Sequence, residues 1–153
     1  MIFGSGLFPL FLVGELEKKM YPATIYCQEK DYEAYIAAAA PELLESDRKN
    51  EVKRLSSMDL SFEFGCSLDL PFIRAKMKEA DVVCASEEVA KKLAPEETAD
   101  AEIMLREQAG IVSGPVRSVM DAAFAAKRAA LTVDLLVQNL SPHSNRGLSL
   151  IHI

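Results

Sequence analysis

The chain has 153 residues, a formal net charge of −6, and a composition that is 50% apolar and 26% charged. This length is sufficient for one domain with a buried core. The negative charge argues against a nucleic-acid or an anionic-membrane partner, because either would need a basic face.

The N-terminal part of the chain has the pattern of a βαβ unit. We predict an apolar strand over residues 1–5, followed by a glycine-containing turn. Apolar residues at helical spacing predict a helix over 7–20, which Pro22 ends. Residues rich in β-formers predict a second strand over 23–27.

Further strands and helices are predicted to alternate after this unit. A Tyr- and Ala-rich stretch, predicted as helix or loop, precedes a charged helix over 42–57. Alternating apolar and polar residues predict a strand over 59–64. A short helix from Pro71 to Glu79 leads to an apolar stretch over 81–85, typical of a buried parallel strand.

The C-terminal part is predicted to be helical. Residues 87–109 are acidic with a helical pattern that is broken at Pro95, and Gly114-Pro115 opens a last helix that runs to about Gln138. A stripe of small residues on this helix permits close approach to a sheet or to a ligand: Ala122, Ala126, Ala129, Ala130 and Val133. The alternation predicts a single α/β domain, Rossmann-like, with a parallel sheet and helices on both faces.

The cysteines and the N-terminus indicate a cytoplasmic protein. Cys27, Cys66 and Cys84 are odd in number, widely spaced and without a CxxC pair, so we expect reduced thiols and no disulfide, zinc or iron–sulfur site. Residues 1–13 are apolar but too short to span a bilayer, and no basic residue precedes them. The sequence offers no catalytic constellation and no metal ligand set.

Three stretches carry a family resemblance. Residues 2–26 contain Gly4-Ser5-Gly6, residues 51–83 contain Phe62-Glu63-Phe64-Gly65, and the third begins at Ser113-Gly114-Pro115 and continues to Asp134. In this order they resemble the FAD-binding portion of the glutamate synthase small-subunit family of flavin- and NAD(P)H-dependent oxidoreductases. The resemblance covers the chain up to about Leu140.

The resemblance implies an FAD site at two places. The glycine turn would hold the FAD pyrophosphate, because glycines permit close approach and a helix N-terminus attracts anions. The closing helix would direct its N-terminus at the flavin ring. The cofactor-binding residues implied are Gly4, Ser5, Gly6, Gly114, Pro115 and Val116.

The sequence departs from the family's pattern at correlated positions. Pro9 stands at the third glycine, Cys27 at the acidic residue that binds ribose, and Gly110 at the aspartate before the closing helix. Glu29 lies two residues after Cys27, displaced from the ribose position. The family's glycine pair after the second strand is absent from residues 28–40. The NAD(P)H-binding domain that the family inserts between the positions of Ala85 and Ala109 is also absent.

Two functions therefore stay open. One is an FAD/NAD(P)-binding oxidoreductase domain, a fragment or subunit of an electron-transfer complex. A partner subunit or a missing downstream domain would then supply iron–sulfur or NAD(P)H chemistry. The alternative is a degenerate, non-catalytic Rossmann-like module that serves assembly or docking. The sequence names neither the substrate and electron acceptor nor the oligomeric state.

The last six residues, 148–153, are expected to be a non-native tail. Leu148-Ser149-Leu150-Ile151-His152-Ile153 resembles a translated sequencing-library adapter. On this interpretation the domain spans 1–147, and the native reading frame continues beyond Gly147.

Overall fold

A computed structural model describes residues 1–58, 61–92, 110–112 and 116–139. The described strands are short: Ile2–Phe3 (β1), Thr24–Tyr26 (β2), Ser61–Glu63 (β3), Val83–Ala85 (β4) and Gly110–Val112 (β5). The described helices are Leu7–Lys18 (α1), Tyr32–Ala39 (α2), Glu45–Ser57 (α3), Leu70–Met77 (α4), Glu87–Lys92 (α5) and Val119–Asn139 (α6).

The described strands form one parallel sheet in the order β3-β2-β1-β4-β5. β1 is central: Ile2 pairs with Ile25 of β2 on one side and with Cys84 of β4 on the other. The chain therefore builds outward from β1 in one direction, and then returns to build outward in the other. This order is that of a Rossmann-like fold, as predicted.

Helices cover both faces of the sheet, and neighbouring residues of β1, β2 and β4 are buried on opposite sides. On one face, Ile2, Ile25 and Cys84 share a core with residues of α1 and α6. On the other face, Phe3, Tyr26 and Val83 pack with residues of α4 and α5. Right-handed crossovers require helices to change faces when the direction of strand addition reverses. The prediction of a parallel sheet with two helical layers is thus confirmed.

The small-residue stripe of α6 serves packing. Its members Ala122, Ala126, Ala129, Ala130 and Val133 are all buried, and all except Ala122 belong to the core that contains α1. Tyr21, just after α1, donates a hydrogen bond to the Asp134 carboxylate. The stripe therefore lets α6 approach α1 and the sheet rather than a ligand.

In the C-terminal part, one strand was not predicted and the predicted start of the last helix is wrong. Residues 110–112 form the edge strand β5, which the sequence did not predict because three residues offer no periodicity. The last helix begins at Val119, and residues 116–118 before it are not helical, so Pro115 is not its first residue. Residues 93–109, 113–115 and 140–153 lie outside the described part, and with them the break at Pro95 and the proposed tail.

Candidate functional site

A cleft of about 740 Å³ lies beyond the carboxyl ends of the central strands. Strand addition reverses between β1 and β4, and in open parallel sheets ligands bind in the crevice at this switch point. The cleft is lined by the glycine turn after β1, the residues after β2 and β4, part of α2, and the segment that leads into α6.

Gly4 permits a close approach between the turn after β1 and Ser86, which lines the cleft. Its φ is +132°, and a Cβ there would lie 2.9 Å from Ser86 Cβ, 3.1 Å from Val89 Cγ2, and closer still to Ser86 Oγ. Its amide donates to the Tyr26 carbonyl at 3.0 Å. No side chain fits at this position, so the turn after β1 requires glycine.

Gly6 has a different role from Gly4. Its φ of +97° and ψ of −164° lie in a region essentially restricted to glycine, but a Cβ there would meet no atom within 4 Å. Gly6 is the residue before α1, and within the described residues no side chain caps this helix. The first amides of α1, at Leu7 and Phe8, lack helical acceptors, whereas Pro9 has no N–H to offer.

The side of the cleft formed after β2 carries a carboxylate, that of Glu29. β2 ends at Tyr26, so Glu29 stands beyond the strand and lines the cleft. The Ser5 hydroxyl donates a hydrogen bond to Glu29 Oε1, which joins the glycine turn to the end of β2. Cys27 is fully buried in the core instead. An acidic group thus does face the cleft, displaced by two residues from the expected position.

The opposite side of the cleft is formed after β4, and sequence reasoning missed it. Ser86 is buried, and the N–H of Val89 donates to its hydroxyl at 3.4 Å. Glu87, Glu88 and Lys91 line the cleft, with Lys91 Nζ 3.0 Å from Glu87 Oε1. In the sequence, this region is indicated only by the buried strand β4 that precedes it. Residues at the carboxyl end of β4 lie at the switch point of the sheet.

The segment leading into α6 closes the cleft with a self-contained cap. The Ser118 hydroxyl accepts from the amide of Asp121 at 3.1 Å, and Asp121 Oδ2 accepts from the amide of Arg117 at 3.2 Å. This is a variant of the reciprocal capping box. The carboxylate of Asp121 places a negative charge at this helix end, where the resemblance implied attraction for a reduced flavin.

The predicted site residues are only partly brought together. Ser5, Gly6 and Val116 line the cleft, whereas Gly4 does not line it but lies against Ser86, which does. Gly114 and Pro115 lie outside the described residues. The ionisable side chains around the cleft are mainly acidic: Glu29, Glu42, Glu87, Glu88, Lys91 and Arg117.

The cysteines show no sign of activated thiols. Burial raises the pKa of Cys27 to about 12 and that of Cys84 to about 11. Burial also raises the pKa of the partly exposed Cys66. A reactive thiol needs a lowered pKa, so these shifts favour the protonated, less nucleophilic form of each cysteine.

The sequence matches no protein-family model, and neither the curated proteins nor the solved structures gave a match. Among the described residues, no helix is both long and apolar enough to cross a membrane. The same residues contain no group of three or more acidic, cysteine or histidine side chains placed to hold a metal ion.

Proposed function

We propose that this domain binds an adenine dinucleotide of the FAD type and serves as the flavin-binding part of an oxidoreductase. The observation that carries the proposal is the glycine turn between β1 and α1, which opens into the cleft at the sheet's switch point. This turn combines two positive-φ glycines with an uncapped helix N-terminus. Such an arrangement suits a pyrophosphate.

The residues around the turn are of the types that hold the pyrophosphate and the adenosine ribose of FAD. The amides of Leu7 and Phe8 would donate to the pyrophosphate, and Gly6 leaves open space beside them. Glu29 would accept from ribose hydroxyls, the role that an acidic residue after the second strand has in dinucleotide sites. A cleft of about 740 Å³ is also within the range of small-molecule and cofactor sites.

The chemistry of such a domain would reside in the cofactor. A bound flavin accepts a hydride or electrons, and the protein holds and orients it. Within the described residues we assign no group to a proton transfer. The nicotinamide and the iron–sulfur chemistry would come from a partner subunit or a downstream domain, as the family resemblance implies.

A second candidate, a non-catalytic module for assembly or docking, is favoured by the charge of the cleft. Four carboxylates face it against two basic side chains, and Lys91 already pairs with Glu87. Pro9 removes one amide from the anion-binding end of α1, and Asp121 adds a negative charge at the start of α6. The first change weakens the attraction of α1 for a phosphate, and the second weakens the attraction of α6 for a reduced flavin ring.

Reconstitution with FAD separates the two candidates. The purified chain is incubated with FAD, desalted, and examined by visible spectroscopy and thermal unfolding. We expect a flavin band and a rise in Tm that grows with FAD concentration, because a ligand that binds the folded state stabilises it. A colourless protein whose Tm does not respond to FAD would favour the non-catalytic module.

The matched variants are Glu29→Gln and Glu33→Gln. Both remove one carboxylate near the start of α2, but Glu29 lines the cleft and Glu33 is exposed on the helix. We expect Glu29→Gln to weaken FAD binding roughly tenfold, since hydrogen bonds to charged groups contribute about 1.5–3 kcal/mol. Glu33→Gln should bind like the wild type.

A further inference from the structure

The glycine turn is held from the side by a buried tyrosine. The Tyr35 hydroxyl, on α2, donates a hydrogen bond to the Gly6 carbonyl at 2.7 Å. This bond joins residues 29 positions apart in sequence. Gly6 is the residue whose backbone conformation determines where α1 begins, so the bond acts on the turn itself.

The position of Tyr35 is itself closely fixed. Its side chain is fully buried, and its ring meets that of Phe62 edge-on with centroids 5.6 Å apart. At the start of α2, the Asp31 carboxylate accepts from the amide of Ala34 at 2.8 Å, which fixes the beginning of the helix. The phenol therefore reaches the turn from a rigid support.

The phenol also stays a hydrogen-bond donor across the ordinary pH range. Burial raises the pKa of Tyr35 well above its usual value, and Cys27 and Glu29 nearby act in the same direction. A glycine peptide at positive φ has wide conformational freedom when nothing holds it. A permanently protonated donor removes part of that freedom before any ligand arrives.

We propose that Tyr35 is a positioning residue that fixes the Gly6 peptide, so that the amides at the start of α1 face the cleft in a binding conformation. The inference rests on the proposed function for its ligand, but the effect on the turn does not depend on that ligand. Preorganisation of this kind raises affinity by lowering the ordering cost of binding.

The test compares Tyr35→Phe with Tyr32→Phe. Both changes remove one hydroxyl from α2, and the ring of Tyr32 packs against Phe62 and Phe64 at 5.1 and 5.0 Å. Amide NMR relaxation measures the order parameters of Ser5, Gly6 and Leu7 in the ligand-free protein. We expect these to fall from about 0.85 to below about 0.6 in Tyr35→Phe and to stay unchanged in Tyr32→Phe.

Titration with FAD supplies the second readout. We expect Tyr35→Phe to bind FAD about tenfold more weakly while its Tm falls by only a few degrees. Unchanged order parameters in a folded Tyr35→Phe protein would overturn the inference, even if its Tm were lower. If wild-type protein fails to bind FAD but the turn loosens in Tyr35→Phe, the proposed function fails and the positioning role stands.

Discussion

The turn after β1 and the segment before α6 lie on the same cleft, but they present different chemistry to it. At the first, two glycines precede a helix that no side chain caps, and Leu7 and Phe8 at its start line the cleft. At the second, Ser118 and Asp121 satisfy the amides of Asp121 and Arg117 within the chain. One helix start thus has no side-chain cap, whereas the other is capped by side chains of its own segment.

The difference between the two helix ends explains why the start of α1 was predicted correctly from the sequence and the start of α6 was not. A strand, a glycine turn and a helix adjacent in sequence leave few alternatives, and only glycine fits at position 4 because Ser86 lies against it. A helix start is decided by competing caps. Proline favours the first turn of a helix, but a serine followed three residues later by an acidic residue is also a start signal. Here the second signal prevails.

The largest effect is expected from Gly4→Ala. The new methyl group would overlap Ser86, and the φ of +132° is unfavourable for alanine. We expect a loss of about 3 kcal/mol or more in the free energy of unfolding, measured by urea denaturation. A loss below about 1 kcal/mol would show that the turn is not held closely against β4.

Gly14→Ala is the matched control for this change. Gly14 lies inside α1, where a Cβ would meet no atom within 4 Å. Alanine should therefore stabilise the protein by about 0.5–1 kcal/mol through helix propensity. If Gly4→Ala lowers the free energy of unfolding and Gly14→Ala raises it, the steric requirement for glycine lies at the turn and not in α1.

Alkaline pH should lower the free energy of unfolding, because two buried cysteines lie in or next to the strands of the sheet. The pKa of Cys27 rises from 9.0 to about 12 on folding and that of Cys84 to about 11, so above pH 9 the unfolded chain loses protons first. Stability present below pH 9 is then lost as the pH rises towards these values, by up to about 1.4 kcal/mol per pH unit for each thiol. Urea midpoints that stay constant from pH 9 to pH 11 would contradict buried thiols.

A smaller effect is expected at the cap of α6. Ser118→Ala removes the acceptor for the amide of Asp121 and should cost about 1 kcal/mol. Ser56→Ala, which removes a hydroxyl bonded to the Lys53 carbonyl within α3, should change stability by less than about 0.5 kcal/mol. If the two variants were equally stable, Ser118 would not mark the beginning of the helix.

Much of the fold could be predicted because its signals are local. The helices α1, α3 and α4 and the strands β1 to β4 lie within or close to their predicted ranges, since periodicity and prolines act over neighbouring residues. β5 could not be predicted from the sequence, because Gly110–Val112 becomes a strand only by pairing with β4. Edge strands of three residues depend on tertiary partners.

The site was predictable only in part. The glycine turn follows from sequence, but the bonds that shape it come from distant residues. Tyr35 and Glu29 reach the turn from 29 and 24 positions away. Ser86 approaches Gly4 only because β4 is placed beside β1. Contacts across neighbouring strands have no signature in a single sequence.

Amide NMR with added FAD tests most directly whether the turn after β1 binds an adenine dinucleotide. We predict saturable shifts that are largest at Ser5 to Phe8 and at Glu29, while the amide of Asp121, held by Ser118, changes little. The absence of any shift at about 1 mM FAD would mean a binding free energy weaker than about −4 kcal/mol. This result would contradict the binding of an adenine dinucleotide at the turn. So would shifts centred on Asp121.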